Sequence, residues 1–214
     1  MAKRQKTDLK RAKTKWANGT TDHSTQSESC PVRVVLRGIT NALEALIDSR
    51  SNGYILCACA WITSLPLIKA LLRAKRRGLT VLLIVQKETW LQRPRTKFHR
   101  MLANEYRSLG SYADLPLMGA ACLQQVEAVR CVGKVTRAES ARMHHKFLVF
   151  GNQEPESVWT GSFNLSATAE DSFENAVVID DPTCAAAYFQ EFRTLLLLSE
   201  PITSTSKTMR PSWQ

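Results

Sequence analysis

The sequence predicts a single α/β domain, and three observations support this fold class. The chain has 214 residues, which is the length of one ordinary domain. Its 44% hydrophobic and 22% charged residues are close to globular averages, which excludes a wholly disordered chain. Residues 54–85 have the pattern strand, helix, strand, and such a unit gives two parallel strands joined by a right-handed crossover.

The crossover unit has the clearest local signals. Its first and last segments are short, continuous apolar runs of strand length. Ser64 is a good helix N-cap, and Pro66 fits the first turn. Gly78 follows the basic end of the segment and stops the helix. The unit therefore comprises a strand at 54–61, a helix at 65–77 and a strand at 79–85.

The same signals predict the other elements. Apolar residues at helical spacing indicate a helix over 41–48, Thr96 can cap a second that runs to Gly110, and Asp181 opens a last helix to about residue 198. Residues 111–125 show no clear pattern, and 133–140 are expected to form a loop. Strands are expected at 32–36, 126–132, 145–150, 157–161 and 174–179, with a turn at 151–156.

Both ends of the chain have the composition of tails. Residues 1–30 carry seven Lys or Arg and then a Ser/Thr-rich stretch, so we expect a basic, disordered tail there. Residues 200–214 are expected to be loose, which leaves 31–199 as the folded domain. No apolar run reaches the roughly 18 residues that span a bilayer, and no signal peptide is evident. We therefore expect a cytoplasmic protein, or a nuclear one if the host is eukaryotic.

The six cysteines lack metal-site spacing. None forms a CxxC pair, and Cys57 and Cys59 lie on one face of a predicted strand, which is poor geometry for a mutual disulfide. We expect buried thiols in a reducing compartment and no zinc site. The full set is Cys30, Cys57, Cys59, Cys122, Cys131 and Cys184.

The positive charge is concentrated in part of the chain. The formal net charge is +10, and residues 69–100 hold ten Lys or Arg against one acid, Glu88. Such a field attracts polyanions, either nucleic acid or an anionic membrane surface, although a solvated helix face is the simpler explanation of a single charge run. The candidate nucleic-acid-binding residues are Arg73, Arg76, Arg77, Arg93, Arg95 and Lys97.

Five polar side chains follow one another at the ends of predicted strands. His144 and Lys146 are two residues apart and point to the same face of a strand. Ser162 and Asn164 have the same spacing after the next strand, and Glu174 begins a third. Three adjacent strand ends can therefore present all five groups to one place.

These groups suit the cleavage of a phosphodiester. An imidazole can attack phosphorus or act as an acid or base near neutral pH. The transition state spreads negative charge over oxygens, and an ammonium, an amide and a hydroxyl are fixed donors for it. A carboxylate that accepts from the imidazole would fix its tautomer.

The same residues resemble a known signature. The segments 144–146 (HHK), 161–164 (GSFN) and 174–175 (EN) are similar to the H-x-K, G-S-x-N and E-N motifs of the phospholipase D superfamily, in the form found in its small, single-motif endonuclease-like members. The resemblance covers roughly residues 38–195. It implies a mixed, mostly parallel sheet with helices on both faces.

The resemblance also implies a two-step, metal-independent reaction without a cofactor. His144 would attack phosphorus and form a phosphohistidine, and Glu174 would orient His144. Lys146, Ser162 and Asn164 would hold the phosphate oxygens. His145 occupies the variable position of the motif, and strand alternation places it on the opposite face. The catalytic residues are thus expected to be His144, Lys146, Asn164 and Glu174.

Two features set this chain apart from the larger family members, which carry two copies of the H-x-K motif. The family has an Asp five residues after the Lys, whereas this chain has Gly151, which leaves room for weak activity. The mechanism also needs a second histidine to protonate the leaving oxygen, and the chain has one H-x-K motif. We therefore expect a twofold homodimer in which two copies of His144 meet.

The superfamily acts on nucleic acids and on lipids, so the fold does not select the substrate. The charge and the small single-motif architecture favour DNA or RNA, and Trp61, Trp90 and Trp159 are candidates for base stacking or for plain packing. One alternative is a lipid phosphodiesterase at anionic membranes. A second alternative is a nucleic-acid-binding member of the family with little or no activity.

Overall fold

A computed structural model describes residues 25–26 (backbone only), 31–113, 115, 126–133 and 142–202. Most of the predicted tails, residues 134–140 of the predicted loop, and the residues Cys30 and Cys122 lie outside these ranges. In chain order the elements are β1 (Thr25–Gln26), β2 (Val32–Val35), α1 (Ile39–Asp48), β3 (Tyr54–Cys59), α2 (Leu65–Arg76), β4 (Thr80–Gln86), α3 (Thr89–Gln92), α4 (Lys97–Ser108), β5 (Ser111–Tyr112), β6 (Val126–Glu127), β7 (Val129–Val132), β8 (Lys146–Gly151), β9 (Pro155–Gly161), a 3-10 turn (Ala169–Asp171), β10 (Ala176–Ile179), α5 (Pro182–Leu198) and β11 (Glu200–Pro201).

The main sheet is mixed, as predicted, but it is mostly antiparallel. Its strand order is β1-β2-β10-β9-β8-β3-β4-β7-β11. Among the described strands only the β3–β4 and β4–β7 pairs are parallel. The crossover through α2 makes β3 and β4 parallel, whereas a tight turn joins β8 to β9 as a hairpin, and hairpin strands are antiparallel. The mostly parallel sheet that the resemblance implied is therefore wrong in proportion.

Helices cover both faces of the sheet, as the sequence predicted. Alternate residues of β3, such as Cys57, face a core shared with α1, α2 and α4. The intervening residues, such as Leu56, face a second core formed with α5. This alternation with apolar side chains on both faces explains why β3 and β4 are almost continuously hydrophobic.

The sheet has two ends that differ in their contents. We call the end of the sheet at which β3, β4 and β7 finish its carboxyl end. Strands β8 and β10 begin at this end, and β9 finishes there. The amino end is the opposite one, where β3 and β4 begin and β8 finishes. The residues predicted to carry the chemistry all lie at or just beyond the carboxyl end.

The segment after α5 belongs to the fold, although the sequence predicted a loose tail from residue 200. Glu200 is 2% exposed and pairs with the ammonium of Lys87, and β11 adds to the edge of the sheet beside β7. A buried carboxylate needs such a partner, and one follows the end of β4. The described part of the folded domain thus extends to Ile202.

The described cysteines are free thiols. Cys57, Cys59 and Cys131 are buried, as expected, and burial raises the pKa of each. The expectation of burial is wrong for Cys184, which is exposed in the first turn of α5.

Candidate active site

The H-x-K segment is fixed at the carboxyl end of the sheet by backbone pairing. Lys146 lies opposite Cys59 in the β3–β8 ladder, and the N–H of Ala60 donates to the carbonyl of His145 at 2.9 Å. This pairing holds the segment that carries His144 in extended form just before β8. The side chain of His144 is exposed at the surface, and Lys146 is half-buried.

His144 and Lys146 share one side of the strand, and His145 takes the other. Lys146 Nζ lies 3.3 Å from Nδ1 and 3.4 Å from Nε2 of His144, and it donates to the His144 carbonyl at 3.0 Å. Nε2 of His145 lies 3.0 Å from a carboxylate oxygen of Glu191 on α5. Strand alternation thus separates the two neighbouring imidazoles.

The surroundings of His144 favour its neutral form. Partial burial lowers the pKa of His144, and the positive charges of Lys146 and Arg142 lower it further. Burial also lowers the pKa of Lys146, while Cys59 and the carboxylate of Glu174 act in the opposite direction. A neutral imidazole has a free lone pair, which is what a nucleophile needs.

Ser162 and Glu174 form one hydrogen-bonded unit where β9 passes into β10. The Ser162 hydroxyl donates to the Glu174 carboxylate and accepts from the N–H of Asn175 at 3.1 Å. The strands approach closely here, because a Cβ on Gly161 would overlap the Asn175 carbonyl. The structure differs from the sequence prediction in the partner of Glu174, whose carboxylate is held by Ser162 while the ring of His144 contacts other groups.

Asn164 is positioned by its neighbour in the loop after β9. The carbonyl of Leu165 accepts from the N–H groups of Thr63 at 2.7 Å and Ser64 at 2.9 Å, which ties this loop to the segment after β3. Oδ1 of Asn164 is buried and has no hydrogen-bond partner among the described residues. Leaving such a group unpaired costs about 1–3 kcal/mol.

Trp61 completes the wall beside His144. The two rings meet edge to face with centroids 5.5 Å apart, and the indole N–H donates to Glu88 Oε1 at 3.0 Å. The sequence marked Trp61 as a candidate for base stacking or for plain packing and did not assign a role to Glu88. The sequence signal that could have linked the two residues is their position. Trp61 follows β3 and Glu88 follows β4, and these strands are adjacent and parallel.

The predicted nucleic-acid-binding residues fall into two groups. Arg73 and Arg77 lie near the amino end, where both pair with Asp48 and Arg73 also pairs with Glu44. Arg76 is exposed at the same end of α2. Arg93, Arg95 and Lys97 are exposed between α3 and α4, in the segment that follows the carboxyl end of β4. The structure thus separates residues that the sequence grouped together.

Two further residues from the sequence analysis lie away from the chemistry. Trp159 is 1% exposed and belongs to the core. Gly151 finishes β8 at the amino end, about 20 Å of extended chain from His144. A Cβ at this position would overlap the hydroxyl of Tyr54 and the carbonyl of Glu154, so the close approach of Tyr54 explains why a glycine stands here.

The described residues also bear on metal sites and membrane-spanning helices. Within these ranges, no group of three or more His, Cys, Asp or Glu side chains is arranged to hold a metal ion. None of the described helices is both long and apolar enough to cross a membrane.

Comparison with known proteins identifies the family. A family model described as "Cardiolipin synthase, PLD-like domain" matches residues 43–196. The uncharacterized protein L381 of Acanthamoeba polyphaga mimivirus is 30% identical over 73% of this chain, and the chain spans 62% of that relative's length.

Two solved structures share the fold at low sequence identity. One is Nuc from Salmonella typhimurium, described as a phospholipase D family member, with a TM-score of 0.56 and 21% identity over 79% of this chain and 95% of Nuc. The other is NucT from Helicobacter pylori, with a TM-score of 0.55 and 15% identity over 77% of this chain and 94% of NucT. The family match spans most of the described domain and includes the H-x-K, G-S-x-N and E-N segments, so the chain belongs to the phospholipase D-like superfamily of phosphodiesterases.

Proposed function

We propose that the protein is a metal-independent nuclease that cleaves DNA or RNA through a phosphohistidine on His144. The observation that carries this proposal is the exposed His144, with a lowered pKa, in contact with the ammonium of Lys146. The arrangement supplies a nucleophile and a cation on one face, and Asn164 lies in the loop alongside them.

The first step forms a bond between a ring nitrogen of His144 and phosphorus, and the bond from phosphorus to the leaving oxygen breaks. Lys146 and the Asn164 amide N–H would stabilise the charge on the phosphoryl oxygens. The leaving oxygen takes a proton from a general acid. In the second step a water attacks phosphorus, its proton returns to the general base, and the bond from phosphorus to His144 breaks.

The general acid in this scheme is a second copy of His144, so we propose a homodimer. Among the described residues the other imidazoles are His99, which stacks on Trp90, and His145, which faces Glu191. His145 points away from His144 toward α5, and the ring of His99 is packed against Trp90. An imidazolium from a partner would also offer a donor for the unpaired Oδ1 of Asn164. The two copies of His144 would then titrate as a coupled pair.

Nucleic acid is the substrate class that the charge favours. The net charge of +10 and the exposed cations at 93–97 suit sequence-independent contact with a phosphate backbone. The description of the matching family model names a lipid enzyme, so a lipid phosphodiesterase at anionic membranes is the second candidate. The argument for a weakly active binding module depended on Gly151, which lies at the end of the sheet away from His144.

A cleavage assay in excess EDTA tests the proposal. Wild type, His144→Ala and His145→Ala are each incubated with plasmid DNA, single-stranded DNA, single-stranded RNA and cardiolipin vesicles. We expect wild type and His145→Ala to cleave a nucleic acid and His144→Ala to lose at least about 10³-fold in rate. Cleavage of the lipid alone would move the lipid candidate to first place. Equal nucleic-acid cleavage by His144→Ala would exclude this residue as the nucleophile.

A further inference from the structure

The segment from the end of β4 to the first turn of α4 forms a second surface that continues from the active site. We propose that this surface binds a stretch of single-stranded nucleic acid beside the cleaved phosphate, which rests on the proposed function and specifies its substrate. The surface is named here the α3–α4 surface and consists of Trp90, Arg93, Arg95, Lys97, Phe98 and His99.

The α3–α4 surface is joined to the catalytic face through Trp61. Trp61 meets the ring of His144 and donates to the carboxylate of Glu88. Glu88 is the N-cap of α3, and Trp90 lies two residues further along the chain. A strand of nucleic acid that places a phosphate at His144 therefore meets Trp61 and then this surface.

The surface presents one exposed aromatic ring, that of Phe98, beside the partly buried rings of Trp90 and His99. Trp90 stacks on His99 with centroids 5.0 Å apart and an interplanar angle of 19°. Phe98 adjoins His99 and is 43% exposed, which is unusual for a phenylalanine in the described part of this chain. The bases of a single strand are free to stack on such rings, whereas the bases of a duplex are already stacked on each other.

The surface also carries cations that no described acid neutralises. Arg93, Arg95 and Lys97 are exposed, and none of them forms an ion pair within the described ranges. No acidic residue occurs between Glu88 and Glu105 in the sequence. Cations interleaved with aromatic side chains are the combination that single-strand binding uses, since phosphates contact the cations and bases contact the rings.

A membrane is a weaker candidate for the same surface. An interfacial helix must offer an apolar face to lipid. The apolar face of α4, with Leu102, Ala103 and Tyr106, is buried against the protein, and Tyr106 donates to the carbonyl of Ile62. Phe98 is left as the exposed large apolar residue of this helix. A single aromatic ring among cations favours base stacking over insertion into a bilayer.

Binding is measured on the His144→Ala background, so that cleavage does not consume the probe. The probes are a fluorescent oligothymidylate of about 20 nucleotides, an oligouridylate and a hairpin duplex of the same length, and vesicles of phosphatidylcholine with phosphatidylglycerol. The added substitutions are Phe98→Ala, Arg95→Ala and, as a matched control, Arg107→Ala. Arg107 is exposed near the other end of α4, where the carbonyl of Leu109 accepts from Lys75.

We expect Phe98→Ala to weaken single-strand binding by about 5-fold to 100-fold and duplex binding by less than about 2-fold. Arg95→Ala should weaken binding of all the nucleic acids by about 5-fold and lower the salt slope by about one. Arg107→Ala should change neither. The two single strands distinguish DNA from RNA as the source of the ligand.

Two results would overturn the inference. One is that Phe98→Ala and Arg95→Ala bind the single strands as Arg107→Ala does. The other is that vesicles bind more tightly than oligonucleotides and lose this binding in Phe98→Ala. Failure of the proposed function has a different signature, because it removes His144-dependent cleavage and leaves these binding differences in place.

Discussion

The amino and carboxyl ends of the sheet both carry basic side chains, but these side chains have different partners. At the amino end, Arg73 and Arg77 pair with acids of α1, and Tyr54 fills the space above Gly151. At the carboxyl end, Arg93, Arg95 and Lys97 have no described acidic partner, and the pKa of His144 is lowered. A uniform basic region in the sequence is therefore two regions in the structure. One supports the fold, and the other is available to a ligand.

The sharpest contrast lies between two buried polar atoms that have no described partner, Oδ1 of Asn164 and the hydroxyl of Tyr54. Removing either atom should not lower the free energy of unfolding, because no hydrogen bond of that atom is lost and the cost of its unpaired burial is relieved. We expect Asn164→Ala to lose about 10²–10³-fold in kcat, since the proposed mechanism uses its amide to stabilise the transition state, and Tyr54→Phe to keep full activity. Thermal unfolding and cleavage kinetics on both variants check this pair. Equal activities would remove the distinction between the two ends.

Gly151→Ala tests whether the amino end contributes to stability and not to catalysis. The new methyl group overlaps Tyr54 and the carbonyl of Glu154, so we expect the free energy of unfolding to fall by about 1–3 kcal/mol. Activity per folded molecule should be unchanged, because Gly151 is remote from His144. Denaturant unfolding and active-site titration measure the two quantities. A loss of kcat at full stability would show that this position supports catalysis after all.

Arg73→Ala compares the paired arginines with the unpaired ones. Arg73 is half-buried and bridges Asp48 and Glu44, so its loss should lower the free energy of unfolding by about 1 kcal/mol or less. Oligonucleotide affinity should hold within about 2-fold, whereas Arg95→Ala should keep its stability and lose affinity. Parallel denaturation and binding curves provide the measurement. An affinity loss in Arg73→Ala equal to that in Arg95→Ala would show that both basic regions bind the oligonucleotide.

The smallest expected effect concerns the pH dependence of cleavage. In the proposed mechanism the neutral form of His144 is the nucleophile, so kcat/KM should rise as pH increases through the pKa of His144. This pKa is lowered first by burial and then by Lys146 and Arg142, which places the acidic limb below that of an ordinary histidine. Arg142→Ala removes one of these charges and should move the acidic limb to higher pH. A limb that moves to lower pH would reverse the assigned cause.

The sequence predicted most of what local chemistry determines. The helix over 65–77 and the strand over 79–85 are confirmed within a residue, because Ser64, Pro66 and Gly78 mark their limits. The placement of His144 and Lys146 on one face follows from strand alternation. The spacing of the motifs was sufficient to predict the family.

Contacts between segments that are distant in sequence could not be predicted. The antiparallel majority of the sheet, the burial of Glu200 against Lys87 and the overlap of Tyr54 with position 151 all join segments distant in sequence. The difference between the ion-paired Arg73 and the unpaired Arg95 likewise depends on acids of α1. No local sequence pattern shows that these acids lie beside α2. Charge runs and strand lengths carry no information about such partners.

Trapping of the phosphoenzyme tests the central claim most directly. An oligonucleotide substrate is mixed with wild type, His144→Ala or His145→Ala, quenched in base to preserve phosphorus–nitrogen bonds, and digested for mass spectrometry. The account predicts a phosphoryl adduct on the peptide of wild type and His145→Ala, located at His144, and none in His144→Ala. An adduct that persists in His144→Ala, or one located at His145, would contradict it.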